Sequence, residues 1–139
     1  MSFGGKSDQT NNYAIPGDGW PDLSTDEFRA LRRIPHTFNV DSMKAAVTIA
    51  SLDIQKKLKS LVIDGKLPSF SFAETMLYKR SVYGLAHTEL LPEFATQDRR
   101  DAGSNTAIDE KNQTDRFLEQ SNKDVAKLLG ESANGIDVI

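Results

Sequence analysis

The sequence predicts an all-α protein: a small bundle of about four helices with an extended N-terminal arm and a short, strand-like C-terminal tail. Three observations predict it. Ser24 and Ser71 each stand three residues before a glutamate, the capping-box signature of a helix start. Met43, Val47, Ala50, Ile54, Leu58 and Leu61 recur at steps of three and four, which lays one apolar stripe along a helix. Period-two alternation is confined to Ile136-Asp137-Val138 at the end of the chain. The expected boundaries are residues 1–22 for the arm, 23–130 for the helical domain and 131–139 for the tail.

The arm is rich in Gly, Ser, Asn, Asp and Pro. Such a composition favours extended chain and turns. Tyr13, Ile15 and Trp20 are its apolar groups without a local periodic partner. An arm with aromatics packs onto its own domain or onto a neighbour, and these three residues are the candidates for a subunit interface.

In the first helix Ser24 is the expected N-cap, with Glu27 completing the box and Phe28 and Leu31 forming the apolar side. Pro35 ends it by disfavouring helical geometry in the residue before. The second helix is expected from Ser42 to Ile63, capped by Asp41. It would be about 33 Å long at about 1.5 Å per residue, with Gly65 as a left-handed terminator.

A turn at Lys66–Phe70 containing Pro68 leads to the third helix, capped by Ser71 and Glu74. The third helix is apolar on several faces, which marks a buried or sandwiched helix. Gly84 and Ala86 allow another helix to approach. Pro92 removes the bond to the Thr88 carbonyl and predicts a kink or break. Gln97–Asn105 reads as a polar loop. A fourth helix, about Thr106 to Leu129, carries Leu118, Val125, Leu128 and Leu129 on one side and ends at Gly130. The expected helix core comprises Val47, Ile54, Leu58, Leu77, Val82, Leu118 and Val125.

Composition narrows the function. The 139 residues allow one domain, and 38% apolar residues make a lean core. A lean core fits a subunit that completes its burial against neighbours. The net charge is −3, with both signs interleaved. That argues against binding DNA by neutralising phosphates. The absence of cysteine excludes disulfides, thiolate metal sites and a Cys nucleophile. Residues Met1–Gly19 lack the apolar run of a signal peptide. No stretch approaches the roughly 20 apolar residues of a membrane span. A soluble, intracellular protein with no membrane partner is expected.

No catalytic constellation stands out. His36 and His87 are far apart and lack carboxylates at metal-ligand spacing. His87 reads as a core or interface residue. Glu89 and Glu93 lie one turn apart, as on many solvated helices. Gly17-Asp18-Gly19 is a turn signal without the strand–loop–helix setting of a phosphate cradle. The pairs Arg32-Arg33, Lys56-Lys57, Lys79-Arg80 and Arg99-Arg100 read as solvated faces. Neither an enzyme nor a cofactor is expected. Ile136, Val138 and Ile139 could form a strand on the exposed edge of a partner.

The serial order of features resembles the phage head completion protein (GpL) family. The resemblance runs through Trp20-Pro21-Asp22-Leu23, the short helix ending at Arg32-Arg33, the capped second helix, Tyr78-Lys79-Arg80-Ser81-Val82-Tyr83-Gly84-Leu85-Ala86 and the aliphatic C-terminus. It covers roughly Gly17 to Ile139. Pro92 and a fourth helix with Phe117 as its one aromatic depart from the family's pattern. The resemblance implies a head–tail connector, or adaptor, in the neck of the virion, assembled in the host cytoplasm. It implies a homo-oligomeric ring of about twelve subunits under the portal protein. Such a ring would extend the DNA channel and dock the next neck or tail terminator protein. Packaged DNA would pass without sequence-specific contact. Ile136, Val138 and Ile139 would be the portal-binding tail. The competing expectation is a DNA-binding packaging protein of small-terminase type.

Overall fold

The computed structural model describes residues 12–102 and 107–130, with side chains described for 12–96 and 111–130. The arm enters as strand β1 (Ala14–Ile15), turns through Gly17–Gly19 and returns as β2 (Leu23–Ser24), antiparallel to β1 with Ile15 opposite Leu23. The turn is closed by the Trp20 amide donating to the Gly17 carbonyl at 3.1 Å and the Gly17 amide donating to Asp22 Oδ1 at 2.9 Å. A side chain at Gly17 would meet the Trp20 carbonyl oxygen at 2.0 Å, so only glycine allows this approach.

Helix α1 (Thr25–Arg32) starts where the capping signature places it: the Ser24 hydroxyl accepts from the Glu27 amide at 3.0 Å. The second half of the box departs from the simple motif. Glu27 does not reach back to the Ser24 amide directly. The Tyr83 hydroxyl stands between them, accepting from the Ser24 amide at 3.2 Å and donating to Glu27 Oε1 at 2.6 Å. Phe28 is fully buried as expected of the apolar side, but Leu31 is half exposed. The helix ends at Arg33, which takes a left-handed conformation, two residues before Pro35.

Helix α2 (Val40–Lys57) is capped by Asn39, whose side chain accepts from the Ser42 amide at 2.9 Å. Asp41 therefore lies in the first turn and not at the cap, where its charge still suits the helix dipole. The expected run to Ile63 is also shorter. The chain tightens into a 3-10 turn at Lys59–Leu61. Residues three apart eclipse in a 3-10 turn, so Leu58 stays fully buried and Leu61 still packs on the core. Gly65 belongs to a tight turn with Asp64, both at positive φ, closed by the Ile63–Lys66 bridge. It does not cap α2.

Helix α3 (Phe72–Ala102) opens with a complete capping box: the Ser71 amide donates to Glu74 Oε1 at 2.9 Å and the Glu74 amide donates to the Ser71 hydroxyl at 3.2 Å. It continues unbroken through Pro92. An interior proline costs about 3 kcal/mol, but Leu90, Leu91, Phe94 and Ala95 are buried on both sides of it and hold the helix together. The expected loop from Gln97 is helical as far as Ala102. Its Gln, Asp, Arg and Ala residues are compatible with a helix, and extension of an existing helix needs no new nucleus.

Helix α4 (Ala107–Leu128) runs back along α3. The pairings Arg80–Asp124, Ser81–Ser121 and Gly84–Phe117 fix the antiparallel sense, since one number falls as the other rises. Gln55–Tyr78 and Phe38–Phe94 do the same for α2 on α3. Helix α3 is thus the sandwiched layer that its many-sided apolar pattern predicts. The core centres on Tyr78, Tyr83, Phe28, Met43 and Ile54, all fully buried; burial of each contributes about 1.5–3 kcal/mol.

Candidate interaction surfaces

Buried polar contacts help fasten α4 to α3. Arg80 donates twice to Asp124, Nε to Oδ2 and Nη2 to Oδ1, both at 2.8 Å. The Asp124 side chain is 0% exposed, while that of Arg80 is 48% exposed. The Ser121 hydroxyl donates to the Ser81 carbonyl at 2.9 Å. The buried polar groups of this seam are therefore paired, as burial requires. The carboxylate could have been picked out in the sequence, because helical spacing puts Asp124 between Ser121 and Leu128 on the packed face.

Above this seam Arg32 lies over the Phe117 ring at 4.4 Å and donates from Nε to His87 Nδ1 at 3.0 Å. His87 also packs against Phe28 and Phe94. Burial, then the Arg32 charge, pull its pKa down to about 4, so it is a neutral acceptor at physiological pH. Burial and then the charge of Arg80 lower the pKa of Arg32. Arg32 is thus not on a solvated face, as its pairing with Arg33 suggested. The described ion pairs join Arg80 to Asp124, Lys79 to Glu27, Lys111 to Asp115 and Lys123 to Glu119, and do not include Arg32.

The structure places the arm residues on their own chain. Ile15 is buried in the core. Trp20 stacks on Tyr78 (5.8 Å, 12°) and tilts against Phe70. The Tyr13 amide donates to the Thr25 hydroxyl at 2.9 Å, its carbonyl accepts from the Thr25 amide at 3.0 Å, and Lys44 lies over its ring at 4.5 Å. Tyr13 and Trp20 keep partly exposed faces.

Of the expected core residues, Val47, Ile54, Leu58, Val82 and Val125 are buried. Leu77 is only partly buried against the core, and Leu118 is also intermediate. Ile136, Val138 and Ile139 lie outside the described residues, as do Met1–Asn11 of the arm.

Among the described residues two apolar surfaces are left without a covering side chain. One is a groove of about 590 Å³ between α1, the start of α3 and the end of α4. Leu31, Phe72, Met76 and Leu77 line it, with Arg32, Arg80 and Lys127 as its cations. Phe72 is 83% exposed. The other is the outer face of α2, where Ile49 and Leu52 are each about half exposed. Periodicity signalled neither surface, because both residues of α2 lie off the stripe that defines its core face.

Among the described residues no three His, Asp or Glu side chains cluster to hold a metal. No described helix is long and apolar enough to cross a membrane.

Residues 69–139 match the family described as "Phage head completion protein (GPL)". The chain is 32% identical over 118 residues to the "Probable head completion/stabilization protein" of Haemophilus phage HP1 (strain HP1c1), an alignment spanning 74% of this chain and 78% of that protein. The chain belongs to the phage head completion protein (GpL) family. Its role at this level is head completion or stabilisation in a phage, as a component of the virion. The family match takes in α3, α4 and the tail. It begins after the Trp20-Pro21-Asp22-Leu23 stretch, and is thus narrower than the resemblance read from the order of motifs. No solved structure matches the chain.

Proposed function

We propose that this head completion protein acts as a connector: a ring of subunits under the portal that extends the DNA channel and docks the next neck or tail protein. The observation that carries this is the pair of apolar surfaces left open among the described residues of a chain of this family. They lie on different elements, the α1–α3–α4 groove and the outer face of α2. Rings are built from heterologous contacts, in which two unlike patches meet head to tail. Tyr13 and Trp20 can add their outer faces to such a contact, while buried Ile15 anchors the arm.

The tail with Ile136, Val138 and Ile139 supplies the portal contact by pairing with an exposed strand edge. A ring of tails multiplies a weak contact through effective concentration. The net charge of −3 lets DNA pass without a tight grip. The test is a pull-down with assembled portal rings, using the full chain and a chain ending at Asn134. The full chain is expected to join the portal. The shortened chain is expected to bind more weakly with unchanged helicity by circular dichroism. Equal binding by the two would remove the tail from the mechanism.

A further inference from the structure

The groove between α1, α3 and α4 has a composition that specifies its occupant. Its floor is aliphatic and aromatic: Leu31, Phe72, Met76. Its wall carries three cations, Arg32, Arg80 and Lys127. Arg80 is matched by Asp124, but Arg32 is partly buried, is repelled by Arg80, and has a neutral imidazole and a ring as its described partners. A ligand that brings a carboxylate flanked by aliphatic side chains would cover the floor and offset a charge that no ion pair among the described residues meets.

Helix α4 ends beside the groove, and the sequence after it has that composition. Lys127, on the groove wall, is the penultimate residue of α4. The helix is closed by Gly130 at φ 80°, which turns the chain off the helix axis. Residues 131–139 follow, with Ile136, Asp137 and Val138 in succession and Glu131 at the start. Nine residues reach about 30 Å when extended, far enough to lie along the groove.

We infer that in the free subunit the C-terminal segment docks in its own groove, with Asp137 on the Arg32 side and Ile136 and Val138 over Leu31 and Met76. The groove is then a storage site for the tail, covered until a stronger partner takes the tail away. This concerns the isolated chain and does not rest on the connector reading, so the two can fail separately.

The absence of cysteine makes the test clean. The full-length chain with Asn134→Cys receives a nitroxide on its only thiol, and the methionine methyls are carbon-13 labelled. The Met76 methyl signal is expected to disappear and to return when the nitroxide is reduced. It should stay absent when this protein is diluted into a large excess of unlabelled, spin-free chain. Recovery on dilution would mean that a second copy supplies the tail, and overturns docking within one chain. A Met76 signal intact at every ratio overturns the site altogether. Adding Asp137→Ala should restore the signal; unchanged loss would overturn the pairing with Arg32.

Discussion

The Tyr83 hydroxyl on α3 completes the cap of α1, donating to Glu27 at 2.6 Å while it accepts the Ser24 amide. A motif that is normally local is thereby routed through a residue 56 positions along the chain. Formation of α1 and its docking on α3 are coupled by one oxygen. Tyr83→Phe keeps the buried ring and removes that oxygen. It should lower stability by about 1–2 kcal/mol, because the Ser24 amide and Glu27 each lose a partner. Urea unfolding followed by circular dichroism measures this; an unchanged midpoint would show that water substitutes for the hydroxyl.

Arg80 and Asp124 predict a second outcome. Arg80→Met leaves a fully buried carboxylate without its cation. Removing one partner of a buried pair costs about 3–5 kcal/mol, and the half exposure of Arg80 brings the expected loss nearer about 2 kcal/mol. Adding Asp124→Leu should recover most of it, since the leucine leaves no buried charge without a partner. A double variant as unstable as Arg80→Met would mean that the pair sets geometry as well as charge balance.

His87 predicts a pH dependence. Its pKa is lowered from 6.5 to about 4 by burial and by Arg32. Between those values the unfolded chain binds the proton and the folded chain does not. Stability is then fully present above about pH 6.5 and falls as pH drops towards 4. With allowance for partial solvent access, the contribution is about 2 kcal/mol. His87→Gln cannot titrate and should flatten this part of the profile. Parallel pH profiles for the two proteins would show that His87 is not the titrating group.

Pro92 predicts a gain. Pro92→Ala restores the amide that an unbroken α3 would use and removes the ring's clash with the preceding turn. Stability should rise by about 1–2 kcal/mol, the helical gain being partly offset by greater freedom of the unfolded chain. A loss of stability would indicate that the helix is shaped around the proline.

Much of this fold was legible in local chemistry. Ser24 and Ser71 marked helix starts because capping depends on residues three apart. The apolar run around Tyr78–Ala86 marked α3 as the sandwiched layer. Signals failed where tertiary contacts decided. Asn39 and Asp41 are both good caps two residues apart, and Asn39 prevails with Phe38 in front of it buried against Phe94 at 4.1 Å. Phe38 before the cap and Met43 four residues after it form a staple pattern that would have chosen correctly. The polar run after Gln97 carried no periodicity, although its residues favour a helix. The interaction surfaces were the least legible part. Leu31, Ile49 and Leu52 become a groove wall and an outer ridge only once the core has taken the other apolar residues.

The most direct test of the connector account is electron microscopy of purified portal rings incubated with the full-length protein. The account predicts a closed ring of this protein added coaxially to one face of the portal, with its C-terminal segments directed at the portal. Portal rings that stay bare at saturating protein, or protein bound as scattered monomers without ring closure, would contradict it.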